Sequence, residues 1–518
     1  MESQNVCDIC GELATHKCSA CENVYYCCKE HQKKGWKKHA KICKPYKLTE
    51  DPVLGRHYVA TRNIKAGEII IKEEQPLFTG PMFNSVPVCL GCFVALQKDS
   101  AVPCPKCGWP LCPSCKQHGL ECDFTSSRRT EKVSITEFAI SHPSYECINV
   151  IKTLSMKHAN PETYKKLLSL ESHTDDIIEK QSFTFEATLK IMHFIRRFFK
   201  SDDIADEEIT RIVGILQVNG HEVPLTEPPH LAVYELGSLI EHNCKANCSK
   251  SFTDKGGLII HTATPIAKGD HISICYTDAL WGTVNRNHYL YHTKFFYCIC
   301  DRCKDPSEFG VMFNALKCKK IDCPGYVLPE TFLGTEPKPY ICGTCKLSMS
   351  HEEVEQILER VGTDLSRTKK NNIAACHEFL QHYRDILHPN HFYNVDIIIA
   401  LFQMIGQQGA ETMTDNLLVE KIELCKKLDN LLRIIAPAEN RLRGLLLFEI
   451  HVALAEFTKR HLEEDTLMLL MESKKCLLES YELLKYEPKV LPEGMIAHQI
   501  NFNLQKMNAV LEHLNIKS

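Results

Sequence analysis

The chain has 518 residues, with 61 Lys and Arg against 65 Asp and Glu, which gives a formal net charge of −4. This length predicts three or four structural units, and a composition of 44% hydrophobic and 24% charged residues argues against a disordered chain or a membrane protein. The near-balanced charge argues against a protein built mainly to neutralise phosphates, and the amino-terminal segment resembles no secretory signal, so we expect a soluble intracellular protein.

Cysteine is unusually abundant in this sequence. The chain has 28 cysteines, most of them in closely spaced pairs interleaved with histidine. In a chain expected to be intracellular, this pattern favours metal sites over disulfides. Structural zinc takes four Cys or His ligands in a tetrahedron, and a Cys-x2-Cys pair supplies two of them from one tight turn.

The first two clusters each contain eight residues that can bind zinc, enough for two ions per cluster. The first consists of Cys7, Cys10, Cys18, Cys21, Cys27, His31, His39 and Cys43. The second consists of Cys89, Cys92, Cys104, Cys107, Cys112, Cys115, His118 and Cys122. Because the first segment is too short to bury a core of its own, we expect it to fold only with metal.

Two smaller clusters follow. Cys298, Cys300 and Cys303 supply three thiolates and need a fourth ligand from elsewhere in the chain. The last cluster predicts a zinc ribbon with a long hairpin between its two halves, although four reduced surface thiols would also account for it; it consists of Cys318, Cys323, Cys342 and Cys345.

Residue patterns between the clusters predict the remaining elements. Residues 55–78 and 258–276 are typical of paired short strands joined by turns, and residues 133–216 have a helical period. From about residue 348 onward the sequence predicts antiparallel helical hairpins. Their expected spans are 351–361, 366–388, 393–407, 415–435, 438–460, 466–486 and 495–515.

Several motifs resemble known families. Tyr26-Cys27 followed by Gly35-Trp36-Lys37-Lys38-His39 resembles a MYND zinc finger, and the second cluster resembles a divergent copy. The segment that begins at Gly55 resembles the first strands of a SET domain, and the segment that begins at Ser238 resembles its Asn-His-containing signature. The segments that begin at Ile274 and Phe296 resemble its final strand and its cysteine-rich end. This order resembles the SET-and-MYND family of protein lysine methyltransferases, with an additional amino-terminal finger.

The resemblance implies an α+β multidomain fold. A split SET β-fold would contain inserted zinc fingers and a helical insert, and an all-α domain similar to tetratricopeptide repeats would follow it. The implied divisions are a MYND finger at 1–46, a SET domain at 47–303, a zinc ribbon at 304–347 and the helical domain at 348–518. Within the SET domain they are amino-terminal strands 47–88, zinc cluster 89–122, helical insert 123–215, core 216–297 and post-SET segment 298–303.

The resemblance also implies which ligands share a zinc ion. In the first finger the sites interleave, with Cys7, Cys10, Cys27 and His31 on one ion and Cys18, Cys21, His39 and Cys43 on the other. In the second finger the corresponding sets are Cys89, Cys92, Cys112 and Cys115, and Cys104, Cys107, His118 and Cys122. Cys244 would complete the post-SET site, and the whole chain would hold about six zinc ions.

The implied activity is methyl transfer from S-adenosylmethionine to a protein lysine, histone or non-histone, in the regulation of gene expression. Tyr276 would be the catalytic tyrosine, although a buried strand tyrosine is the structural alternative. The implied cofactor contacts are Gly55, Arg56, His57, Asn219, Glu241, His242, Tyr276 and Phe296. A turn-capping role for Asn219 and a core role for Phe296 are the alternatives for those two residues.

Some positions depart from the family pattern. His57 replaces a glycine, Glu241 replaces an asparagine, and Lys294 stands where an aromatic residue is frequent. The alternative function is therefore a catalytically weak scaffold whose MYND fingers recruit peptide partners as a transcriptional corepressor. In either case we expect a monomer in cytoplasm and nucleus, with peptide ligands for its fingers, no membrane attachment and no sequence-specific nucleic-acid binding.

Overall fold

A computed structural model describes residues 6–513, apart from residues 19–20, 22–23, 41–42, 53, 180–182, 335 and 462–465. The end of the helix predicted over 495–515 lies outside the described residues. Among the described helices, none combines the length and the apolar character needed to cross a membrane.

The first finger is built from two short strands and one helix. Strands β1 (His16–Lys17) and β2 (Tyr25–Tyr26) pair antiparallel, and α1 (Lys29–His39) follows them. Tyr26 is fully buried, and a Cβ atom added to Gly35 would lie 2.9 Å from its ring. Glycine at this position therefore lets the helix approach the tyrosine ring closely.

The central part of the chain alternates short strands with a helical insert. Its amino-terminal elements are β3 (Tyr46–Asp51), β4 (Gly55–Ala60), β5 (Ile69–Glu73), β6 (Phe78–Pro81), β7 (Val102–Pro103), β8 (Pro110–Leu111) and α2 (Glu121–Arg128). The insert contains α3 (Pro143–Glu146), α4 (Ile148–Ala159), α5 (Pro161–Leu168), α6 (Thr174–Glu179), α7 (Phe183–Phe199) and α8 (Asp206–Asn219). Then come β9 (His221–Val223), β10 (His230–Val233), β11 (Glu241–His242), β12 (Cys248–Phe252), β13 (Leu258–Thr262), β14 (His271–Ile274), α9 (Thr283–Lys294) and α10 (Asp301–Lys304).

Three small sheets form the β-core. Their strand orders are β11-β14-β4-β3, β12-β13-β5 and β6-β10-β9, and β11 runs parallel to β14. The strands predicted within 55–78 and 258–276 are confirmed, but β4 and β5 lie in different sheets, as do β13 and β14. Aromatic and β-branched side chains fill the core between the sheets, among them Tyr58, Ile71, Tyr234, Ile260 and Ile272.

The helical insert and the second finger share a second core. Trp109 is fully buried and donates from Nε1 to the Thr125 hydroxyl at 2.8 Å, and the Tyr145 hydroxyl donates to the Val88 carbonyl at 2.7 Å. The helical prediction for residues 133–142 is wrong, because no helix precedes Pro143 after α2 ends. Pro143 suits the first turn of a helix, where no amide hydrogen is needed.

The carboxy-terminal part begins with a four-stranded sheet and continues with helices. The strands, in spatial order, are β15 (Leu316–Lys317), β16 (Tyr326–Pro329), β17 (Tyr340–Cys342) and β18 (Ser348–Met349). The helices are α11 (His351–Arg367), α12 (Ile373–Tyr383), α13 (Phe392–Met404), α14 (Asp415–Ile435), α15 (Asn440–Arg460), α16 (Thr466–Leu484) and α17 (Pro492–His513).

The helix predicted over 366–388 is wrong in both bounds. The preceding helix α11 continues to Arg367, and a break follows before α12 begins at Ile373. The Asn372 side chain accepts from the Ala375 amide at 3.0 Å and so caps the new helix. Asparagine satisfies an amide that would otherwise have no partner at a helix start, which explains why the apolar period alone missed this boundary.

The carboxy-terminal helices pack on the central sheets through polar contacts. Asn440 donates to His261 Nε2 at 2.9 Å, and the Tyr486 hydroxyl donates to the Gly67 carbonyl at 3.1 Å. The Ser251 hydroxyl donates to the Glu487 carboxylate at 2.6 Å. These contacts fix the helices beside β12, β13 and the turn at Gly67.

Candidate active site and metal centres

In the first finger the structure brings the eight ligand-type residues together in two sets. Each set places its four ligand atoms within 4.8 Å of one another, in the interleaved grouping that the family resemblance implies. Representative separations are 3.6 Å between the sulfurs of Cys10 and Cys27, and 3.4 Å between Cys21 Sγ and His39 Nε2. A zinc–sulfur bond of about 2.3 Å implies a tetrahedral edge of about 3.8 Å, so the donor atoms fit zinc.

The second cluster forms two further four-residue sets, again in the implied grouping. The Cys92 and Cys112 sulfurs lie 3.7 Å apart, and His118 Nε2 lies 3.1 Å from Cys107 Sγ. The Nδ1 atom of His118 contacts the buried Glu121 carboxylate at 2.8 Å, which leaves Nε2 to face the thiols. Sequence reasoning missed Glu121, although a carboxylate three residues after a histidine ligand was a usable signal.

The post-SET cluster includes the distant Cys244, as the resemblance implies. Its sulfur lies 3.8 Å from that of Cys298 and 3.5 Å from that of Cys303. Cys300 completes the set within 4.8 Å. Four thiolates around a divalent ion carry a net charge of −2, and the buried Arg286 guanidinium lies 3.9 Å from the Cys303 sulfur, where its positive charge is favourable.

The fourth cluster also converges, at one end of the β15–β18 sheet. The Cys318 and Cys345 sulfurs are 3.5 Å apart, and those of Cys323 and Cys342 are 3.7 Å apart. The Cys345 amide hydrogen points to the Cys342 sulfur at 3.5 Å, an arrangement that stabilises a thiolate. The geometry therefore favours the zinc ribbon over four separate surface thiols.

Tyr276 lies two residues after the end of β14, rather than within the strand as its motif predicts. Its hydroxyl donates to the Ile240 carbonyl, and its amide donates to His242 Nδ1 at 3.0 Å. Burial raises the pKa of the Tyr276 phenol, and the Glu241 carboxylate raises it further. Tyr276 therefore remains a neutral hydrogen-bonding group near pH 7.

His242 links this tyrosine to the post-SET cluster. Because its Nδ1 atom accepts the Tyr276 amide hydrogen, its Nε2 atom carries the ring proton and points to the Cys244 sulfur at 3.2 Å. The ring lies 5.9 Å from that of Phe296. Both ring nitrogens of His242 thus have hydrogen-bond partners within the protein, and the side chain positions Tyr276. Only the backbone of His242 is then available to a cofactor.

A cavity of about 410 Å³ opens beside Tyr276. Asn219 lines it at the end of α8, together with Gly237 and Ser238. The Asn219 side-chain nitrogen donates to the Glu171 and Ile215 carbonyls at 2.7 and 2.8 Å, which fixes this side chain at the end of α8. The volume lies within the usual range of small-molecule sites.

The remaining predicted cofactor residues do not line this cavity. Arg56 borders a second cavity of about 360 Å³, and neither that cavity nor the one beside Tyr276 is lined by Gly55, His57, Glu241, His242 or Phe296. Gly55 has a φ of +66°, and no atom lies within 4 Å of where its Cβ would be. The start of β4 therefore offers backbone that a ligand can approach closely.

Glu241 has a partner that the sequence did not reveal. Its carboxylate contacts His271 Nδ1 at 3.0 Å, and the His271 ring stacks on His57 with 4.6 Å between centroids. His57 in turn contacts the Thr49 hydroxyl at 2.9 Å through Nε2. These side chains share one face of the sheet because strands β11, β14, β4 and β3 are neighbours in that order.

Lys294 enters the same cavity as Tyr276. Its ammonium lies 5.7 Å from the centre of the Tyr276 ring and donates to the Gln217 and Val218 carbonyls at 3.1 and 2.7 Å. Desolvation, followed by the neighbouring cation of Lys250, lowers the pKa of Lys294 to about 8. Sequence reasoning noted Lys294 as a departure from the family but gave it no role.

Comparison with known families and proteins agrees with this geometry. A MYND finger model matches residues 7–43, and a SET domain model matches residues 55–277. The SET domain-containing protein SmydA-8, isoform A, of Drosophila melanogaster is 26% identical over 338 residues, which cover 64% of this chain and 70% of that protein. N-lysine methyltransferase SMYD2-A of Xenopus laevis is 25% identical over 297 residues, which cover 51% and 62%.

A third relative, Histone-lysine N-methyltransferase ASHR1 of Arabidopsis thaliana, is 24% identical over 331 residues, covering 60% of this chain and 66% of that protein. A SET domain preceded by a MYND finger and followed by helices defines the class of the molecule. The chain belongs to the family of SET and MYND domain-containing proteins, which confirms the resemblance inferred from its motifs.

Proposed function

We propose that the protein transfers a methyl group from S-adenosylmethionine to a lysine of a protein substrate. The observation that carries this proposal is the placement of Tyr276, whose neutral hydroxyl lies beside a cavity of about 410 Å³. His242 connects Tyr276 to the rigid cluster of four thiols. The lysine methyltransferases among its relatives support the same reaction class.

The donor set near the site suits a cationic cofactor. S-adenosylmethionine carries an ammonium and a sulfonium, and Glu241 supplies a carboxylate that is 10% exposed. Asn219 in the cavity lining adds an amide group, and the open backbone at Gly55 allows a close approach. We propose that these three residues hold the cofactor, which would supply a methyl group already activated by the sulfonium.

The protein's own contribution would be alignment and desolvation. The acceptor amine must be neutral to attack, whereas a free lysine has a pKa of about 10.4. A partly apolar cavity disfavours the ammonium and so favours the neutral amine. Tyr276 would orient that amine from a fixed position, since its own hydroxyl and amide are held by Ile240 and His242.

Calorimetric titration of zinc-loaded protein with S-adenosylmethionine tests the proposal. We expect saturable binding by the wild type and by Tyr276→Phe, because the hydroxyl acts on the amine rather than on the bound cofactor. With a tritiated cofactor and a panel of histone and cytosolic proteins, the wild type should label a substrate and Tyr276→Phe should not. Absence of cofactor binding in a folded sample would reject the enzyme and favour the scaffold.

A further inference from the structure

Lys294 places an amine of the protein itself at the candidate acceptor site. It is the last residue of α9, and its ammonium donates to the last carbonyls of α8, those of Gln217 and Val218. Carbonyls at a helix end have no partner within the helix, so they are free to accept hydrogen bonds from this amine and fix its position. The amine is therefore fixed in the cavity, 5.7 Å from the Tyr276 ring centre.

The surroundings of this amine favour its neutral form. Besides Tyr276, the other charged or titratable groups that line the cavity are Lys250, Glu222, His221, His292, Cys275 and Tyr289. With a pKa of about 8, lowered by desolvation and by the cation of Lys250, about half of Lys294 is neutral at pH 8. A free lysine with a pKa of about 10.4 would be neutral to only about 0.4% at that pH.

We propose that Lys294 accepts a methyl group within its own molecule, in the cavity that Tyr276 lines. This inference rests on the proposed function, because it requires a sulfonium methyl donor. The lone pair of Nζ attacks the methyl carbon, the new nitrogen–carbon bond forms as the carbon–sulfur bond breaks, and the electron pair of that bond stays on sulfur as a thioether. The proton of the resulting methylammonium leaves to solvent.

Mass spectrometry of the purified protein after incubation with a deuteromethyl cofactor tests the inference directly. We expect label in the peptide that contains Lys294, at a rate independent of protein concentration. Lys294→Arg should remove at least nine-tenths of that label, whereas Lys255→Arg, in an exposed turn, should leave it unchanged. Zinc content and circular dichroism establish that both variants are folded.

A second measurement needs no cofactor. The rate of acetylation of Lys294 by acetic anhydride, followed by peptide mass spectrometry across pH 6–11, should reach its midpoint near pH 8, at least one unit below that of Lys255. Protein that binds the cofactor by calorimetry yet leaves Lys294 unlabelled overturns this inference and leaves the proposed function intact. Protein that binds no cofactor overturns both, whatever the acetylation profile.

Discussion

Arg302 and Glu308 form an ion pair in which neither side chain is exposed to solvent. Arg286 contacts the same carboxylate at 3.2 Å, so two buried cations share one buried acid. The Arg302 guanidinium also donates to the carbonyls of Cys244 and Ile435 at 3.1 and 3.2 Å. A single side chain therefore joins a ligand segment of the post-SET cluster to the end of α14.

Replacement of Arg302 by methionine should destabilise the protein strongly. The change leaves Glu308 with one cationic partner and removes the donors to two buried carbonyls. Breaking a buried pair costs about 3–5 kcal/mol, so urea unfolding followed by circular dichroism should show a loss of that size. Arg384→Met removes a cation that is 62% exposed and should change the unfolding free energy by less than about 0.5 kcal/mol.

Glu308→Gln combined with Arg302→Met should deepen the loss, because the amide leaves the buried Arg286 guanidinium without its carboxylate. Equal and small effects of Arg302→Met and Arg384→Met would contradict the proposed bridging role of the buried arginine.

The metal-ligand sets were predictable because their signal is local. Cys7 and Cys10 share one turn, and the spacing to Cys27 and His31 is short enough for the motif to imply which ligands meet. Cys244 was predictable only through the family resemblance, since 54 residues separate it from Cys298. In each case thiol and imidazole ligands favour zinc, which limits the roles that these residues can have.

The polar contacts of the candidate site were not predictable in the same way. Glu241 meets His271 because β11 runs parallel to β14, a long-range pairing that no local pattern encodes. The buried ion pair of Arg302 and Glu308 is equally hidden, because charged residues in a sequence normally indicate solvent-facing positions. Lys294 departs from the family pattern, but only the fold shows that its amine enters the cavity.

The number of bound zinc ions is a direct test of the clusters. The 24 ligands at four per ion predict about six zinc ions per chain, measured by elemental analysis of reduced, folded protein. Cys342→Ser should lower that number by one, whereas Cys376→Ala, in the helical core and outside the clusters, should leave it unchanged. Three or fewer ions in the wild type would reject the second finger and the ribbon together.

Removal of the metal should unfold the zinc-binding amino-terminal half of the chain before the carboxy-terminal helices. A chelator is expected to melt the zinc clusters while α14–α17 retain their helical circular dichroism, because the described part of those helices packs mainly through apolar cores that contain no proposed ligand. Simultaneous loss of all helical signal on chelation would show that the carboxy-terminal helices also depend on metal.

Glu241 should contribute to cofactor affinity although it contacts His271. A carboxylate accepts several hydrogen bonds, so it can bind the ammonium of the cofactor while it keeps the imidazole. Glu241→Ala should weaken binding by about 1.5–3 kcal/mol, the range for hydrogen bonds to charged groups. His271→Ala, which keeps the carboxylate, should have a smaller effect in the same calorimetric titration.

Equal loss of affinity in the two variants would show that the cofactor depends on the Glu241–His271 pair rather than on the carboxylate alone. Unchanged binding in Glu241→Ala would reject the idea that this carboxylate replaces the asparagine that is usual in the family.

Acid should destabilise the helical region through His391. Its side chain is fully buried and its Nδ1 accepts the Tyr393 amide at the start of α13, at 3.2 Å. Desolvation, followed by the neighbouring charge of His388, lowers the pKa of His391 to about 3, against about 6.5 in the unfolded chain. Between these values the unfolded state binds the extra proton, so the free energy of unfolding falls as pH falls from 6.5 towards 3.

His391→Asn keeps an acceptor for the helix start and removes the titrating ring. At pH 7 the variant should be less stable, because asparagine leaves part of the imidazole site empty. At pH 4.5, two units below the unfolded pKa, the free energy of unfolding of the wild type has fallen by about 2.7 kcal/mol, at about 1.36 kcal/mol per unit. The variant does not lose this stability, so the difference in unfolding free energy between the two proteins should narrow by the same amount. Zinc loss in acid affects wild type and variant alike, so it does not change the difference between them. The matched control is His158→Asn, because His158 is exposed to solvent. A gap between wild type and His391→Asn that stays constant from pH 7 to 4.5 in urea unfolding would show that His391 is not held neutral in the folded state.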